Sequence, residues 1–151
     1  MEIEERKKGF TLIELLVSIT IIGIIFSIVI DYVTNARGRG NDTKVKAQLS
    51  RARSTAELYF SNNNSSYNGS AGNIFGPCNT PNSMFTDITS SMATYATQAN
   101  YPTGATLTCY STASAYAISA LLPGAGGTNS WCVDSLGNSK ARDTAINGTA
   151  C

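Results

Sequence analysis

The stretch KKGFTLIELLVSITIIGIIFSIVI, residues 7–30, decides how the rest of the chain is read. From Phe10 to Ile30 it runs for 21 residues with Glu14 as its one charge. A helix rising about 1.5 Å per residue would span roughly 31 Å over that length, close to the hydrocarbon thickness of a bilayer. Arg6, Lys7 and Lys8 stand before it. The positive-inside tendency therefore keeps residues 1–8 in the cytoplasm and sends the remainder outward, and Glu2, Glu4 and Glu5 do little to alter this. A secretory signal would have a shorter apolar core followed by a small-x-small cleavage site. Here DYVTNARGRGND follows, and the breakable position, Gly9, comes before the apolar run. One carboxylate inside such a helix costs about 2–3 kcal/mol near the bilayer centre. Unless Glu14 snorkels toward Lys7 and Lys8 in a plain anchor helix, it needs a partner.

Gly9, Phe10, Thr11, Leu12, Ile13 and Glu14 match, without a gap, the class III signal of type IV pilins and of the related pseudopilins of type II secretion. The chain is similar to that family over roughly 20 residues, and the motif says little about the rest. The resemblance implies that a prepilin peptidase cuts after Gly9 on the cytoplasmic side and methylates the new amino terminus at Phe10. It also implies the partners: an inner-membrane assembly platform, membrane lipid before assembly, and copies of the same chain in a helical filament. The precursor would cross the cytoplasmic membrane once, amino terminus inside, and the assembled subunit would sit in a surface filament. The amine of Phe10, with an ordinary pKa near 8, would lie four residues before Glu14 on one helix face. In a filament a neighbour's amine takes its place, and Glu14 becomes a register device. A stagger that leaves it unpaired in an apolar bundle costs about 3–5 kcal/mol.

Beyond Ile30 the chain turns polar but keeps a helical period. Val45, Leu49, Ala52, Ala56, Tyr59 and Phe60 form one apolar stripe, with Lys44, Lys46, Arg51 and Arg53 on the other faces. Such a stripe packs a sheet, and the family fold does the same. The expected class is α+β: a long N-terminal helix, half membrane and half amphipathic, on a small C-terminal antiparallel sheet. Gly38 and Gly40 are poor helix formers, each costing up to about 1 kcal/mol relative to Ala, and are read as a bend or as a tolerated weak spot. The helix is expected to end near FSNNNSSYNGSAG, where turn formers cluster. This gives a leader over 1–9, an assembly helix over 10–30, an amphipathic half over 31–60 and a head over 61–151.

Within the head, 61–104 reads as a connector. A short helix is expected near SMFTDITSSMATYATQA, with Met84, Ile88, Met92 and Tyr95 at helical spacing. ATLTCYS, AYAISALLP and NSWCVDSLG follow as three strands of a meander over 105–137. Tyr116, Ile118, Ala120 and Leu122 alternate along the second, and Trp131 and Val133 share a face of the third. Residues 138–151 read as a C-terminal loop. Cys78, Cys109, Cys132 and Cys151 all lie beyond the apolar run, which favours disulfides in an oxidising compartment. Their spacing lacks the C-x-x-C pairs of a zinc site. Pairing Cys132 with Cys151, as in many pilins, would leave Cys78 with Cys109. The pairs Cys78–Cys132 and Cys109–Cys151 remain a near-equal alternative.

The chain contains no histidine. This removes the commonest general base and metal ligand, and with them Ser-His-Asp and Cys-His mechanisms. GAGG at 124–127 lacks the strand-to-helix setting of a phosphate loop. No enzyme and no required cofactor are expected. Asp134 beside LGNSK is a weak candidate for calcium, since few other carboxylates stand near it in the sequence. The sequons at Asn41, Asn63, Asn64, Asn68 and Asn147 are of a kind that arises by chance in Asn/Ser-rich sequence. The segment 31–57 holds six cationic residues against three acidic ones, but overall charge is +1 and no aromatic-and-basic platform accompanies it. Nucleic acid is therefore not an expected partner. The alternatives to a pilus subunit are a pseudopilin, or a minor or tip pilin that binds a ligand through 61–104.

Overall fold

A computed structural model describes residues 9–125, 127 and 129–151. Residues 1–8, most of the expected leader, lie outside it, as do Gly126 of the GAGG loop and Thr128 after it. The described residues fall into two units, divided between Ala36 and Arg37.

Helix α1 is Leu12–Asn62. Its first part is apolar all round, and the side chains from Leu12 to Val33 are exposed. Its sequence is long and apolar enough to cross a membrane. Within the second unit the helix buries Val45, Leu49, Ala52, Ala56 and Tyr59 of the stripe read from the sequence, and its last member, Phe60, is partly buried against the core. Gly38 and Gly40 do not interrupt it. For Gly38 the reason is packing. A Cβ there would lie 3.1 Å from Gly124 Cα, in the loop after β3, and a Cβ on Gly124 would lie 2.5 Å from the Gly38 carbonyl oxygen. The Gly124 N–H donates to Asp42 Oδ1 at 2.7 Å. Two backbones thus meet where only glycine allows it. At Gly40 an added Cβ would meet nothing within 4 Å, so packing does not require glycine there. The helix ends where Asn64 and Ser65 turn left-handed, at φ 54° and 57°, and the Ser65 N–H reaches back to the Phe60 carbonyl.

Five antiparallel strands form one sheet in sequence order: β1 Ile74–Gly76, β2 Leu107–Ser111, β3 Tyr116–Leu121, β4 Ser130–Asp134 and β5 Ser139–Arg142. The class is α+β, as expected. Two strands are additional to the expected meander. β1 falls within the stretch read as a connector and pairs Phe75 with Tyr110. β5 falls within the stretch read as a C-terminal loop and pairs Trp131 with Ala141. The expected helix near 83–99 is also shorter. A 3-10 turn, Met84–Thr86, precedes helix α2, Met92–Ala96. Asp87 Oδ2 takes the Ser90 N–H at 2.6 Å, and Ser91 sits at φ 66°. These two features end the helical run between Met84 and Met92. Ile88, expected at helical spacing with Met84, Met92 and Tyr95, is 83% exposed.

The core lies between the second part of α1 and one sheet face, where Tyr116, Ile118, Ala120 and Val133 meet Leu49, Met84, Phe85 and Met92. Tyr67 stacks between Phe60 and Tyr116, at 4.4 and 4.8 Å between ring centroids. Its hydroxyl contacts both Glu57 carboxylate oxygens at 3.0 Å. Burial first, then that carboxylate, push the Tyr67 hydroxyl up to about 12. On the opposite sheet face Ala117 and Cys132 are covered by Ile146 and Cys151 of the tail.

Candidate functional site

The residues singled out from the sequence fall in both units. Gly9, Phe10 and Glu14 belong to the first, and the four cysteines to the second. Nothing in the fold requires glycine at residue 9, because a Cβ there would meet no atom within 4 Å. Phe10 is 79% exposed.

Glu14 has a local role that was not expected. The Thr11 amide and hydroxyl both donate to Glu14 Oε2, at 2.9 and 2.7 Å, while the Glu14 N–H approaches Thr11 Oγ1 at 3.3 Å. This is a capping box, Thr-x-x-Glu, closed at the first turn of α1. It satisfies amides that a helix start leaves without partners. In the single chain Glu14 is thus held by Thr11. The signal was present in the sequence as T-L-I-E immediately before an apolar run. Behind Glu14 the helix presents a continuous apolar surface. Ser18, Thr20 and Ser27 lie on it, but their hydroxyls donate to carbonyls of their own helix.

In the second unit Cys78 bonds Cys109, and Cys132 bonds Cys151. Asp134, considered above for calcium, has both oxygens occupied by donors. Oδ1 takes the N–H groups of Leu136 (3.0 Å) and Asn138 (2.9 Å). Oδ2 takes Asn138 Nδ2 (2.8 Å) and the Cys151 N–H (2.9 Å). A carboxylate ringed by four N–H groups is arranged for structure, since those donors stand where a cation would bind. Burial would raise its pKa, but these hydrogen bonds outweigh burial and hold the carboxyl below the ordinary range. Among the described residues no three His, Cys, Asp or Glu gather as a metal site.

Comparison with known proteins agrees with this arrangement. Residues 6–30 match the prokaryotic N-terminal methylation motif. The chain is 40% identical over 99 residues to the type IV wide pilus major component PilA4 of Thermus thermophilus, a match that covers 64% of this chain and 76% of the relative. No solved structure gives a significant match. With a methylation motif at the start of an exposed apolar helix, an α+β head behind it and three quarters of a pilus subunit matched, the chain belongs to the type IV pilin family.

Proposed function

We propose that this protein is a major pilus subunit, cut after Gly9, methylated on Phe10 and polymerised through the apolar part of α1. The observation that carries this reading is that apolar part itself. Large side chains from Phe10 to Val33 are exposed in the single chain, and Glu14 is the one charged side chain from Phe10 to Ile30. At about 25 cal/mol per Å2, such a surface is held in lipid or against copies of itself and not in water. In this reading residues 1–9 are the leader and 10–30 lie in the cytoplasmic membrane until assembly. A prepilin peptidase and an inner-membrane platform act on the chain before it joins a surface filament. Polymerisation exchanges the Thr11 contacts of Glu14 for the cationic amine of a neighbouring Phe10, a stronger partner in an apolar bundle. The head contributes its surface, and the reading invokes no catalysis and no cofactor.

Replacing Glu14 tests this. Glu14→Ala is expected to leave α1 in the membrane and the precursor stable, while surface filaments fall to background. Filaments at the wild-type level from Glu14→Ala would contradict the pairing.

A further inference from the structure

The end of α1, the 3-10 turn Gly69–Ala71 and the segment 82–88 enclose an open groove of about 690 Å3. That volume is in the range of small-molecule sites. The lining is polar: the amides of Asn62, Asn64 and Asn82, the hydroxyls of Ser70 and Thr86, and a single carboxylate, Asp87. No lysine or arginine is among the lining residues.

The walls are held in place. Thr86 Oγ1 lies 3.2 Å from the carbonyls of Thr80 and Ser83, and Asp87 Oδ2 holds the Ser90 N–H. Gly69, at φ 60°, sits so close that a Cβ would collide with the Tyr59 hydroxyl and lie 2.8 Å from the Asn82 carbonyl. Three segments are thereby fixed against one another, while Asn62, Asn64, Ser70 and Asn82 remain solvent-exposed. Ile88 supplies an apolar rim.

We propose that this groove binds a neutral saccharide. Each amide offers a donor and an acceptor side by side, which suits hydroxyl groups that both give and accept. Asp87, whose carboxylate is already engaged by Ser90 and Thr89, adds negative charge to the wall. The lone carboxylate, with no cation near it in the lining, repels phosphates, nucleic acid and acidic sugars. The polar lining offers little to a lipid chain, whereas Ile88 can cover the C–H face of a sugar ring. The site lies wholly in the second unit and does not depend on polymerisation.

The test uses the full-length protein in detergent micelles, titrated calorimetrically with maltotetraose, cellotetraose, chitotetraose and lactose, and with a sulfated disaccharide and a single-stranded oligonucleotide for comparison. At least one neutral sugar is expected to bind, with or without EDTA. The double variant Asn62→Ala, Ser70→Ala changes two exposed side chains and is expected to weaken that binding by about tenfold or more. Asn147→Ala, outside the groove, should leave it unchanged, and thermal unfolding of each variant checks the fold. The proposal is overturned by any of four results: no neutral sugar bound up to about 10 mM, equal affinity in the double variant, binding of the anionic ligands alone, or loss of binding in EDTA.

Discussion

Asp134 and Cys151 are tied together twice. The Cys151 N–H donates to Asp134 Oδ2 at 2.9 Å, and Cys151 is bonded to Cys132, two residues before Asp134 on β4. Asp134 is fully buried and also organises the β4–β5 turn through Leu136 and Asn138. Asp134→Asn keeps the size but sets an NH2 group against N–H donors. A loss of about 2–3 kcal/mol is expected, read as a lower urea midpoint for the full chain in micelles. An unchanged midpoint would show that the disulfide alone fixes the tail.

The same carboxylate sets an acid limit. Its folded pKa lies below the ordinary aspartate value of about 3.9. A depressed carboxylate contributes its full stability above the unfolded value, and that contribution is lost as pH falls through the lower folded value. Asp87, also lowered by hydrogen bonds from Ser90 and Thr89 that outweigh its burial, adds to the limb in the same direction. Melting temperature should therefore be flat above about pH 5 and fall below pH 4, more gently in Asp134→Asn. An identical acid limb in the variant would contradict this.

Gly124 and Gly40 predict opposite outcomes. Gly124→Ala forces a Cβ to 2.5 Å from the Gly38 carbonyl oxygen and 2.7 Å from Asp42 Oδ2, and should destabilise the head by about 1–3 kcal/mol. Gly40→Ala meets nothing within 4 Å inside a regular helix and should stabilise by about 0.5–1 kcal/mol. Urea unfolding of both variants beside the parent checks the signs.

How much of this was legible follows from where the hydrophobic pattern is strong. The apolar run 10–30 and the stripe from Val45 to Tyr59 announced α1, and the alternation at Tyr116, Ile118 and Ala120 announced β3. β1 is three residues long, and β5, SKAR, is an exposed edge strand without alternation, so neither carried a signal. The roles of Gly38 and Asp134 depend on partners 86 residues away and on a turn and a tail that meet only in the fold. The groove is assembled from three loop-like segments, which periodicity does not describe. Thr11 is different: T-L-I-E before an apolar run is a capping-box pattern legible in the sequence itself.

The most direct test is intact-mass and N-terminal analysis of the protein from sheared surface filaments, without reductant. The expected species begins at a methylated Phe10 and is four hydrogens lighter than the fully reduced chain, one pair for each of the two bonds. A chain that retains residues 1–9 and is found only in the membrane would contradict assembly and leave Glu14 as the helix cap of a plain anchor.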